Sequence, residues 1–294
     1  MSPHKEKTPG GEGVLYVVAT PIGNMEDMTL RAIRILGEVD LIAAEDTREA
    51  RRLLAHHGIK GLLVSCHEYN EMARCVSLID KIKSGLSVAL ISDAGTPSVS
   101  DPGFRLVQAA IGNHIRVVPI PGVSAVTAAL SVSGLPTDSF VFVGFLSRKS
   151  GRRVQQLEIL AREPRTVIFY ESPRRLMGLL QSVHGIFGDR QAVLSREMTK
   201  TFEEFQRGRL SELTSRLEQR PLIKGECTLL VAGCEHGVPD SGDGFLEAEL
   251  AEALAEPGAR PSEVARRIAA KYHFPRKKVY EQAMKIKGER FHDP

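Results

Sequence analysis

Short apolar runs alternate with helix-spaced apolar positions along most of the chain. Residues 14–19 read as a first strand, after which Leu30, Ile33, Leu36 and Val39 recur at helical spacing. Residues 41–44 form a second strand, and the helix that follows turns Leu53 and Leu54 inward and ends near Gly58. Residues 62–66 are a third strand, followed by a helix marked by Met72, Val76, Ile79 and Ile82. Residues 87–92, 104–111 and 115–120 continue as strand, helix, strand. Such alternation predicts a mostly parallel sheet with helices on its faces.

A second series starts after Pro136. Residues 140–146, 166–170, 191–195, 203–207 and 227–232 read as strands, with helices opening at the basic run 148–153 and running through Leu176, Leu179 and Leu180. Fewer crossover helices separate these strands, which predicts a mixed sheet. The fold class expected is therefore α/β, two α/β domains over 14–135 and 136–233 with a cleft between them. Residues 1–13 read as a disordered tail and 234–244, rich in Gly, Pro and Asp, as a linker. Residues 245–294 read as helical, with Ser262 capping one short helix and Phe274-Pro275 introducing the next, in a helix-turn-helix-like accessory region.

Length and composition fit this picture. The 294 residues exceed one usual domain, and 42% hydrophobic with 26% charged residues is the balance of a soluble globular protein. The apolar stretch 117–135 contains Pro119, Pro121 and three serines, so it reads as strand, turn and small-residue helix instead of a membrane span. The four cysteines form no CxxC pair; they read as small buried apolar groups in a reducing compartment. Net charge is only +3, but residues 260–294 hold ten Lys or Arg against four Asp or Glu, which leaves the remainder at −3. That asymmetry points to a polyanion-facing tail, or to a solvated helical face.

The candidate chemistry lies in the turns. Strands one, two and four run into TPIGN (20–24), EDTR (45–48) and SDAGTPSVSDPG (92–103), and strand five into PIPGVSA (119–125). In a parallel sheet these turns share the carboxyl edge, where such folds bind ligands. The long loop 92–103 is expected to feed its helix with Asp101 as N-cap and Pro102 as first helical residue. It is no Walker loop, because no Gly-Lys-Ser/Thr follows, and the absence of GxGxxG after strand one disfavours a nicotinamide dehydrogenase.

Taken in order, TPIGN, AEDTR, SDAGTPSVSDPG, PIPGVSA, VGFL, FYESPRRL, REMTK and GECTLLVAG resemble the tetrapyrrole methylase family, and within it the RsmI branch of small-subunit ribosomal RNA methyltransferases. The resemblance implies S-adenosylmethionine bound between the two domains and methyl transfer to the ribose 2′-OH of a cytidine in the decoding region of 16S ribosomal RNA. The fold family further suggests a homodimer, whose partner is that RNA, naked or within the small ribosomal subunit; a cytoplasmic location and no membrane are expected. By the same resemblance, Pro21, Asp93, Ala94, Gly95, Thr96, Ser98, Ser124 and Ala125 flank the cofactor, and Phe142, Val143, Gly144 and Thr228 wall its adenine.

A methyl sulfonium is already activated, so the protein must orient a hydroxyl and remove its proton. Glu45, Asp46 and Lys200 are the leading candidates for that step, beside Glu171 and Glu197; Asp46 serves equally well as a helix cap. Arg48, Arg148, Arg152, Arg174 and Arg175 are candidate phosphate anchors, since guanidinium groups hold phosphate through a fork of N–H donors. No metal site is expected. Two rival readings share these features: a same-fold methyltransferase acting on a small tetrapyrrole or a protein side chain, and a non-catalytic RNA-binding assembly factor.

Overall fold

The computed structural model describes residues 13–234, 243–255, 259–272 and 276–289. The tail 1–12 and most of the expected linker, 235–242, lie outside the described residues, as do Phe274 and Pro275.

The first domain is a parallel sheet of five strands: β1 (Val14–Val18), β2 (Leu41–Ala44), β3 (Leu63–Ser65), β4 (Val88–Ile91) and β5 (Arg116–Ile120), in the order β3-β2-β4-β1-β5. Between them run α1 (Leu30–Glu38), α2 (Thr47–His56), α3 (Glu71–Lys83) and α4 (Phe104–Gly112), and α5 (Ala125–Ser131) follows β5. Period-two alternation sends successive strand residues to opposite faces. Ile42, Ala44, Ala89 and Ile91 thus join the core beneath α1 and α2, while Leu41, Ala43, Val88 and Leu90 join the one beneath α3 and α4. Both faces are covered, which is why β2 and β4 are apolar throughout.

The second domain is a mixed sheet of β6 (Phe140–Phe145), β7 (Thr166–Glu171), β8 (Gln191–Arg196), β9 (Glu204–Arg209) and β10 (Cys227–Val231), in the order β6-β7-β10-β8-β9. Only β6 and β7 pair in parallel. One face packs on α6 (Ser150–Leu160), α7 (Pro173–Phe187) and α8 (Leu210–Glu218) through Val167, Phe169, Leu194 and Leu229. The other face, Ile168, Val193 and Leu230, packs on Val126, Ala129 and Leu130 of α5. The second sheet therefore uses the first domain as its missing layer, and the cleft lies along that junction.

The tail folds as α9 (Asp243–Ala255), α10 (Pro261–Tyr272) and α11 (Arg276–Glu289) around its own core of Leu250, Val264, Ala265, Ile268, Val279 and Ala283. Among the described residues no helix is long and apolar enough to cross a membrane. The stretch 117–135 resolves into β5, a turn and α5.

Several local expectations need correction. Met72 and Val76 are exposed; α3 buries Glu71, Cys75, Leu78, Ile79 and Ile82 instead, a stripe rotated by one residue at its first turns. Leu30 is likewise 85% exposed, and α1 buries Ala32, Ile35 and Leu36. Ser262 lies inside α10, which starts at Pro261. Asp101 does not cap α4: the N-cap is Gly103, at φ +123°, and Glu71 of α3 supplies the missing acceptor. Its Oε1 accepts from the backbone N–H of Gly103 and of Arg105, each at 3.0 Å. α8 was not expected at all.

Candidate active site

The turns after β1, β2, β4 and β5 meet at one edge because those strands are neighbours running the same way. Two of them are stitched together: Thr20 and Gly95 exchange backbone hydrogen bonds of 2.8 and 3.0 Å, and Thr20 Oγ1 donates to the carbonyl of Ser92 at 3.1 Å. Gly95 holds φ at +75°, a conformation glycine adopts without steric cost. The turns are thereby fixed as one floor beneath the second domain.

Two cavities open above that floor. The first, about 290 Å³, lies between the domains, with Ala94, Gly95, Thr96, Ser124 and Ala125 on one side and Phe145, Tyr170, Glu171, Cys227 and Thr228 on the other. The second, about 200 Å³, lies against the first-domain turns and is lined by Pro21, Gly23, Met25, Leu53, Asp93 and Lys200 among others. Ile22, Ala94 and Glu226 belong to both walls.

The residues expected to flank a cofactor divide between these spaces. Ala94, Gly95, Thr96, Ser124, Ala125 and Thr228 line the first, Pro21 and Asp93 the second. Phe142, Val143, Gly144 and Ser98 line neither. A register shift between Phe142 and Gly144 breaks the alternation of β6. Phe142 consequently packs into the interdomain core and Phe145 reaches the cavity, both rings edge-on to Tyr170 at 4.9 and 5.6 Å. Gly144 is a contact between domains: a Cβ there would sit 2.6 Å from Ser100 Oγ. Ser98 folds back into its own loop, its N–H donating to the Pro102 carbonyl at 3.2 Å.

Of the candidates for proton removal, Glu45 and Asp46 line neither cavity. Asp46 caps α2, its Oδ1 accepting from the Arg48 N–H at 2.8 Å, and its Oδ2 takes Arg48 Nη2 at 2.6 Å. Those hydrogen bonds from Arg48 hold its carboxyl well below the usual range. Lys200 does reach the second cavity, but as a cation: partial burial pulls its pKa down, and hydrogen bonds to Glu197 (2.9 Å) and Glu226 (3.0 Å) more than restore it, leaving a net rise. An ammonium held this way is no base. Its stem passes under Gly23, where a Cβ would lie 2.4 Å from Lys200 Cγ, and the Asn24 N–H donates to Thr199 Oγ1 at 3.1 Å. This segment latches the second domain onto the first.

Asp101 is the carboxylate that the sequence reading passed over. It lines the first cavity, and its pKa is pushed up to about 7 by burial first, then by the negative charge of Glu45, with Asp93 and Glu226 adding to it and a hydrogen bond with Ser92 opposing. Its SDPG setting carried a signal, an acid ahead of Pro-Gly, that also fits a helix cap; only the approach of the second domain distinguishes the two. Tyr170 and Glu226 were missed for the same reason. Among the expected phosphate anchors, Arg148, Arg152 and Arg174 are exposed. Arg48 is held by Asp46, and Arg175 donates to the Leu146 carbonyl at 2.8 Å beside Glu171.

The first cavity suits a nucleoside carrying a cationic group. Its walls are largely apolar, and Asp101 and Glu226 supply negative charge. The buried carboxylate of Glu171 has an oxygen, Oε2, with no aligned hydrogen-bond donor, although Arg175 Nη2 is 3.0 Å away. The combined size of the two cavities is that of small-molecule sites.

The sequence matches the family described as Tetrapyrrole (Corrin/Porphyrin) Methylases over residues 14–214. A uroporphyrin-III C-methyltransferase from Thermus thermophilus, solved with S-adenosyl homocysteine, has the same fold at 21% identity, with a TM-score of 0.51 over 74% of this chain and 96% of that one. Among curated proteins, the ribosomal RNA small subunit methyltransferase I of Streptococcus pyogenes serotype M1 is 47% identical over 92% of this chain and 94% of its own length. That of Pseudomonas aeruginosa is 46% identical over 94% and 99%. The chain belongs to the tetrapyrrole methylase family and, within it, to the ribosomal RNA small subunit methyltransferase I group. It is a methyltransferase.

Proposed function

We propose that this chain methylates the ribose 2′-OH of a cytidine in the decoding region of 16S ribosomal RNA, acting as a cytoplasmic homodimer on the small ribosomal subunit. The observation that carries the reading is the match to the Pseudomonas aeruginosa protein along 99% of that protein's length, tail included. The surface supports it. Arg148, Lys149 and Arg152 stand exposed at the start of α6, where positive charge opposes the helix dipole and no side chain caps the first turn. Cations kept at a place where they cost stability fit a polyanionic partner better than a small tetrapyrrole.

S-adenosylmethionine, when bound, supplies a methyl group already activated on a sulfonium. Ala94, Gly95, Thr96, Ser124, Ala125 and Thr228 would hold it in the first cavity, facing Glu171, which stays ion-paired with Arg175 at 3.0 Å. The chain's own work is to orient the accepting hydroxyl and receive its proton, and Asp101 is placed for the second task. A carboxylate with a pKa near 7 takes a proton more readily than an ordinary one and is still half ionised at neutral pH. Lys200, held cationic in the second cavity beside Glu226 of the shared wall, orients instead of deprotonating.

The test is a map of ribose methylation in 16S RNA from cells with and without the chain. One cytidine of the decoding region should lose its 2′-O-methyl group; an unchanged map overturns the reading. Equilibrium dialysis with S-adenosylmethionine separates it from a non-catalytic assembly factor, which would bind none.

A further inference from the structure

The second cavity has no occupant in the reading above, yet it is built like a recognition site. Met25, Ala50, Leu53 and Ile91 give it an apolar side, and Glu49, Asp93 and Lys200 give it a polar one. Ile22, Ala94 and Glu226 are common to its wall and that of the first cavity. The two cavities therefore adjoin at these three residues, which is where a methyl donor in one and its acceptor in the other would have to come into direct contact.

Of the polar groups, Lys200 is taken up by Glu197 and Glu226, whereas Asp93 is a carboxylate held by backbone. Its Oδ1 accepts from the Asp46 backbone N–H at 3.0 Å. Glu49, by contrast, is drawn out to Arg52 at 2.7 Å on the exposed side of α2. A fixed carboxylate only accepts hydrogen bonds, so it favours a base edge that presents an amine and repels one that presents a carbonyl oxygen. Cytosine presents an amine at position 4 and uracil an oxygen. A nucleotide handled by a deep cleft must first leave its stack, and the base is then read by its edge.

We propose that the second cavity receives the unstacked cytosine of the acceptor nucleotide, with the Asp93 carboxylate accepting from its N4 amine. The apolar wall holds the ring, and the ribose lies at the wall shared with the cofactor cavity. The assignment rests on the proposed ribose methylation of a cytidine and adds the group that selects the base.

The test uses small subunits assembled with 16S transcripts carrying cytidine or uridine at the acceptor position, and the full chain. Both kcat/KM for methylation and Kd by filter binding are measured. The parent should favour cytidine by about 5- to 150-fold. In Asp93→Asn the amide oxygen still accepts from Asp46, while its NH2 donates to the uracil oxygen. The preference should fall at least about tenfold or invert. Ala50→Leu, which fills the same cavity without changing its charge, should raise Kd for the cytidine subunit and leave S-adenosylmethionine binding by dialysis at the parental value. An Asp93→Asn variant that loses both substrates equally, or an Ala50→Leu variant that binds the cytidine subunit like the parent, overturns the assignment. If the parent methylates the cytidine with a preference that Asp93→Asn does not move, the pocket fails and the function stands. If it methylates neither RNA yet its binding preference follows residue 93, the function fails and the pocket stands.

Discussion

Asp101 keeps its proton up to a pH at which an exposed aspartate has long lost it, because the junction of the two domains takes it partly out of water and surrounds it with Glu45, Asp93 and Glu226. Two consequences can be measured. The kcat/KM for methylation should rise with pH through a limb near 7, and Asp101→Asn should abolish the limb and slow turnover by about a hundred- to ten-thousand-fold. The same shift acts on stability. A carboxyl raised on folding leaves the native state holding more protons than the unfolded one between about pH 4 and 7, so stability falls as pH rises through that window. The melting temperature of the parent should therefore drop between pH 5 and 8 relative to that of Asp101→Asn. Parallel melting profiles would remove the burial argument, and a surviving pH limb in the variant would move the proton to another group.

At the scale of the element, the loop 92–103 is held at its far end by a neighbouring helix and not by its own side chains. Gly103 has no side chain to cap α4, and Glu71 serves it from α3. Glu71→Ala leaves two backbone donors at a partly buried helix start without a protein acceptor, which should cost about 1–3 kcal/mol by denaturant unfolding. The loop it frees carries Thr96 and Asp101, so cofactor affinity should weaken as well. Asp46→Ala is the contrasting case. It removes the cap of α2 and the Arg48 pair, and should lower the melting temperature while methyl transfer changes little. Loss of turnover without loss of stability would restore Asp46 as a chemical group.

For the whole molecule, the two α/β domains share a core at their junction and the tail has one of its own. α9, α10 and α11 pack around Leu250, Ile268 and Val279, and the basic excess of the chain falls in residues 260–294. Deleting residues 235–294 should leave the melting of the remaining body and its S-adenosylmethionine affinity near parental values. It should weaken capture of small-subunit RNA at low salt, and the deficit should shrink as salt rises, because phosphate contacts release counterions. Equal methylation by the truncated and full chains at low salt would make the tail a packing unit only.

The sequence by itself determined the two sheets, their parallel and mixed character, and the edge at which TPIGN, EDTR, SDAGTP and PIPGVSA meet. Those features follow from local rules: strand length, apolar alternation and the placing of Gly and Pro at turns. It determined Asp46 only as cap or base, since both demand an acid before a helix. α8 escaped because it starts directly at the end of β9, with Arg209 as its N-cap and no Gly or Pro between. The outward turn of Leu30, Met72 and Val76 escaped because each helix carries more apolar residues than its buried stripe needs. Only the tertiary structure decided the site's chemistry. Asp101, Tyr170, Glu171 and Glu226 come together from distant parts of the chain when the second sheet takes α5 as its missing layer. Burial and the fields of neighbouring charges depend on what a fold places nearby, and no local pattern in the chain encodes them.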